Sequence, residues 1–146
     1  MATGVRVGVV AAAMMIGAVI GLGLRHGLAL RPFMSAGYSV LETLGVRASR
    51  GVMPIAVGVA AVATAIIVLG VCFTFVAASL RGLRLFVVAF VFAASAWAAN
   101  VYIVPSILGQ SGGIALGTAQ RVFLFTLLGL GLAVGMRLAR PDVRVE

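Results

Sequence analysis

Four long apolar runs, separated by short polar or arginine-bearing stretches, set the pattern of this chain. They predict helical spans at about residues 5–24, 53–78, 85–104 and 122–138. A helix rises about 1.5 Å per residue, and roughly 20 apolar residues cross the hydrocarbon core of a bilayer. The second run lies within Gly51 to Leu80, which carries no charge between Arg50 and Arg81. The first run begins after a basic residue, as a signal peptide does. It is long for that role, and Arg25, His26 and Arg31 follow it in place of an A-x-A cleavage site, so it reads as a retained span.

The connections carry their own signals. Between the first two spans, Phe33, Met34, Tyr38, Leu41 and Leu44 recur at helical spacing among polar residues. They predict a short amphipathic helix at about 32–44, lying in the membrane interface, begun by Pro32 and ended by Gly45. Only Arg81 to Arg84 separates the second span from the third, which predicts an antiparallel helical hairpin. Residues 105–120 are Gly-rich and uncharged, and fit either an extramembrane loop or a segment dipping back into the membrane.

Inside the spans, small residues mark faces suited to close helix packing. Gly17 with Gly21 and Gly131 with Gly135 form G-x-x-x-G pairs. In the second span Ala56, Ala60, Ala63, Ile67, Gly70, Thr74 and Ala77 share a face; in the third, Ala89, Ala93, Ala96 and Asn100 do. Phe86, Phe90, Trp97 and Val101 lie largely opposite, with Trp97 and Tyr102 read as packing and interfacial anchors. The expected architecture is an all-α integral membrane protein, a single transmembrane four-helix bundle with a short interfacial helix between spans 1 and 2.

Composition narrows this further. The chain has 146 residues, 63% of them hydrophobic and 10% charged, whereas a soluble domain is about 25% charged. A mean hydropathy of +1.24 leaves no room for a second, soluble domain. The net charge of +8 comes from eleven arginines and no lysine, against Glu42, Asp142 and Glu146. These arginines flank apolar runs, where they meet lipid phosphates, so nucleic-acid binding is not expected. Arginine without lysine, beside abundant Ala, Val and Gly, fits a GC-rich bacterial genome. Four spans place both termini on one side. Six arginines lie on that side and five on the other, a near-even split, with the tight Arg81–Arg84 loop favouring cytoplasmic termini. The expected location is the bacterial inner membrane.

Candidate chemistry is sparse. One cysteine, Cys72, excludes an intramolecular disulfide. One histidine cannot supply two axial haem ligands, and His26, Cys72 and Glu42 sit in three separate environments, so no metal site or cofactor is expected. Coupled transport needs a group that changes charge inside a span, and apart from Cys72 no span holds an ionisable residue away from its ends. The chain is therefore expected not to be an enzyme. The leading reading is a membrane protein acting through helix–helix contacts: an accessory subunit, assembly factor or scaffold. Its partners would be the lipid bilayer, further copies of itself or other membrane subunits. A second reading is a channel or facilitator for a small neutral solute, with Asn100, Thr74, Gln110 and Gln120 as polar lining. A third is a quinone-associated subunit using Arg25 and His26.

Overall fold

A computed structural model describes residues 2–25, 30–46, 51–103 and 118–139. Among these the chain is helical, in five helices. Four are long: α1 (Ala2–Arg25), α3 (Val52–Ala77), α4 (Gly82–Tyr102) and α5 (Thr118–Ala139). The shortest of the four has 21 residues, about 31 Å, enough to cross a hydrocarbon core. All four are long and apolar enough to span a membrane. The protein is an all-α bundle, and its four apolar helices make it a multi-pass membrane protein.

α2 (Arg31–Thr43) is the short helix between the first two spans. Pro32 occupies its first turn, where a missing N–H costs least. Its other end closes as the local sequence dictates. Gly45 takes φ +71°, its N–H donates to the Glu42 carbonyl at 3.0 Å, and the Val46 N–H donates to Leu41 at 2.9 Å. This pair of bonds is the Schellman termination, which needs a left-handed residue that glycine supplies without strain.

α1 lies against both α3 and α5, α4 lies against α5, and α2 lies against α3. The α1–α3 contact is made by backbone. A Cβ on Gly8 would meet the Cα of Ile67 at 2.6 Å, and one on Gly4 would meet the Cα of Val71 at 2.9 Å. Gly70 in turn faces the backbone of Gly8. On the other side of α1, Gly131 and Gly135 of α5 approach the Cα atoms of Ala11 and Val7, at 2.9 and 3.0 Å from their would-be Cβ positions. Small residues allow this spacing, and dispersion between closely packed backbones then holds helices together where lipid offers no hydrophobic drive.

The hairpin expectation needs correction in one respect. α3 and α4 follow each other through a tight turn, with Gly82 at φ +58°, yet they touch only lightly. Their link includes a tilted pair of rings, Phe73 and Phe92, with centroids 5.5 Å apart. α4 instead rests on α5, where Gly129 faces Ala89 and Phe90 and the Arg137 guanidinium lies 4.9 Å from the Phe86 ring centre. That cation also suits the negative end of the α5 dipole.

α2 also departs from expectation in the face it buries. Phe33, Gly37 and Leu41 are buried, whereas Leu44 is 69% exposed. The stripe goes to α3 rather than to the headgroup region. Gly37, which interrupts the apolar pattern in the sequence, is the closest point: a Cβ there would collide with the Pro54 carbonyl, and one on Gly58 would collide with the Phe33 carbonyl. Phe33 thereby reaches the middle of the bundle, where it and Pro32 line a small apolar cavity with Met15, Val19, Val62 and Leu124. The core is wholly apolar, with no buried polar or charged side chain among the described residues.

Candidate functional site

The packing residues separate into two groups. Gly70, Gly131 and Gly135 are buried at helix crossings. Gly17 and Gly21 are exposed, and a Cβ on either would meet nothing within 4 Å, so this pair packs no helix of the bundle. Ala56 and Ala60 are exposed as well. The glycine pair that does seat α1 on α3 is Gly4 with Gly8, together with the Gly37–Gly58 contact of α2. Gly4 and Gly8 have the same four-residue spacing as the two G-x-x-x-G pairs expected to pack. They are easily passed over because they lie where the first apolar run begins.

The polar residues expected to form a common lining are not brought together. Thr74 lies one turn before the end of α3, against Gly4, and its hydroxyl donates to the Val71 carbonyl at 2.7 Å. Asn100, half-buried, is in the last turn of α4. Because α4 starts where α3 ends, these two residues stand at opposite ends of the bundle. Gln120 is in the first turn of α5, at the Asn100 end. Gln110 and the whole of 104–117 lie outside the described residues, as does His26; Arg25 is the last residue of α1.

The site that emerges is a cleft of about 200 Å³ between α4 and α5. Phe90, Ala93, Ala94 and Trp97 form one wall, at helical spacings of three and four; Val122, Phe125 and Thr126 form the other. The two alanines make a recess between the larger Phe90 and Trp97 rings. The only hydroxyl of the lining is that of Thr126, and it donates to the Val122 carbonyl of its own helix at 2.8 Å, a common way for a hydroxyl to be satisfied inside a membrane helix.

Trp97 is the exception to this satisfied surface. Its indole Nε1 is buried and has no hydrogen-bond partner among the described residues. A buried donor left unpaired costs about 1–3 kcal/mol, and indole N–H groups ordinarily find an acceptor when buried. The cleft thus has apolar walls, and the unmet donor of Trp97 is closed off from its open space. From sequence, Trp97 reads as packing. Its signal as a site, two alanines between Phe90 and Trp97 on one helical face, has meaning only once α5 lies opposite. Compared with protein-family models, curated proteins and solved structures, the chain matches none.

Proposed function

We propose that this is a non-enzymatic membrane protein that acts through contacts between its helix faces and other membrane proteins or further copies of itself. The observation that carries this reading is unused packing surface. In their most apolar windows, α5 is 44% and α1 39% buried within the protein, against 17% for α3 and for α4. Gly17, Gly21, Ala56 and Ala60 leave small-residue surface on the outside, where a partner helix can approach closely. A facilitator lined by Thr74 and Asn100 has less support, since those residues lie at opposite ends and the described core is apolar.

Native mass spectrometry in mild detergent tests the proposal. The expected species is an oligomer or a complex with a co-purifying membrane protein, and Gly17→Leu with Gly21→Leu is expected to reduce it without lowering the melting point. A lone monomer would count heavily against it.

We further propose a bacterial inner-membrane location with both termini in the cytoplasm, on the composition and the Arg81–Arg84 turn. A C-terminal reporter active only in the cytoplasm should then be active; activity of a periplasm-dependent reporter instead would reverse the orientation.

A further inference from the structure

Arg31 begins a helix that runs outward from inside the bundle. The Phe33 carbonyl faces Gly58 and Gly37 faces the Pro54 carbonyl, so α2 and α3 are antiparallel. That register sets Arg31 level with Ala60, eight residues beyond Val52 at the start of α3, or about 12 Å along the axis. The cavity neighbours of Pro32 and Phe33 agree: Met15, Val19, Val62 and Leu124 stand six to ten residues inside the ends of their helices. α3 has 26 residues, about 39 Å, and so passes through a hydrocarbon core of about 30 Å into the headgroup layer at each end. The lipid phosphates near Val52 are thus farther from the start of α2 than an arginine side chain extends when it snorkels. The hydroxyls of Ser35, Ser39 and Thr43 donate to carbonyls of α2 itself, which suits a helix at this depth. Arg31 is exposed on the outside of the bundle, and a guanidinium held there is costly unless an anion meets it.

The chain does not bring that anion. Its acids are Glu42, Asp142 and Glu146. Glu42 is in the last turn of α2, eleven residues from Arg31, about 16 Å along the helix. Asp142 and Glu146 follow α5, which ends on the side where α1 begins, since Gly135 meets Val7. A second copy inserted in the same direction carries only these acids, at these same levels. We propose that Arg31 is the docking point for a transmembrane helix of a different membrane protein, one that carries an Asp or Glu at the same depth and closes an ion pair with it on the surface of α2. This rests on the reading that the protein acts through contacts within the membrane, and it adds the chemistry of the partner, which contact through Gly17 and Gly21 does not specify.

Designed partners test this against the full-length protein in lipid vesicles. The probes are dansyl-labelled transmembrane peptides of leucine and alanine, one with a single Asp at the depth of Arg31 and one with Leu in its place. Trp97, the only tryptophan in the chain, is the energy donor. At about pH 8, where a carboxyl facing a cation is ionised, the Asp peptide should bind about tenfold more tightly than the Leu peptide. Arg31→Leu should remove that preference and Arg31→Lys should keep most of it; Arg31→Gln serves if the leucine variant does not fold. Equal binding of the two peptides by the wild type would overturn the proposal, as would a preference that persists in the folded Arg31→Leu or Arg31→Gln protein. An Arg31-dependent need for anionic lipid, with no gain from the Asp, would assign the charge to a lipid phosphate and overturn it too. Failure here beside an intact Gly17- and Gly21-dependent complex in native mass spectra strikes the Arg31 site alone, whereas a lone monomer there strikes the broader reading.

Discussion

Gly70→Ala should lower the stability of the protein in detergent by about 2–4 kcal/mol, and Gly70→Leu should abolish the folded state. A side chain at this position has nowhere to go: its Cβ would enter the backbone of Gly8, and Gly8 itself faces the Cα and carbonyl of Ile67. Neither helix can yield by turning a rotamer, since the opposing atoms are main chain. Separating α1 from α3 is then the only relief. That gives up packing along much of both helices, more than the 1–3 kcal/mol usual for an overfilled core. Gly17→Ala and Gly21→Ala are the internal control. Nothing lies within 4 Å of either added methyl, and alanine replaces glycine in a helix with a gain of about 0.5–1 kcal/mol. Thermal unfolding followed by circular dichroism checks both. Equal effects at Gly70 and at the control positions would show that the α1–α3 crossing does not lie where the structure puts it.

The second large effect concerns α2. Gly37→Ala or Gly58→Ala should detach α2 from α3, because each added methyl would strike a carbonyl of the facing helix, Pro54 in one case and Phe33 in the other. Phe33, buried to 2% exposure at the junction of α1, α2, α3 and α5, would be withdrawn with it. Phe33→Ala measures that loss separately, at about 3–5 kcal/mol for a large core side chain. Hydrogen exchange distinguishes detachment from general unfolding. The amides of α2 should exchange faster in Gly37→Ala while those of α1 and α5 remain protected, as for a locally opening unit. Unchanged protection across α2 would show that the helix does not depend on this contact.

Much of this protein is legible in its amino-acid sequence. The lengths of the apolar runs define four spans, because the bilayer thickness fixes how many apolar residues a helix needs. Pro32 and Gly45 mark the limits of α2, since a missing N–H and a left-handed φ are local requirements. The scarcity of ionisable groups within the spans narrows the candidate chemistry in the same way.

The pairing of faces is not legible there. A helix that is apolar all round has no polar side to say which way it turns, and α3 carries small residues on the face toward α1 and beyond it. Gly17–Gly21 and Gly4–Gly8 have the same spacing, yet only the second pair meets a neighbour. Gly37 looks like a defect in an amphipathic stripe and is the point of contact. The Trp97 cleft depends on α4 resting on α5, helices with the 104–117 segment between them, rather than on α3, its neighbour in sequence. In lipid these choices are made by how closely two backbones fit. The sequence alone determined that the protein spans the membrane and, to within a few residues, where each helix lies. The tertiary structure decided which glycines touch, which small faces stay free and where a donor is left without an acceptor, because those depend on atoms brought together from distant parts of the chain.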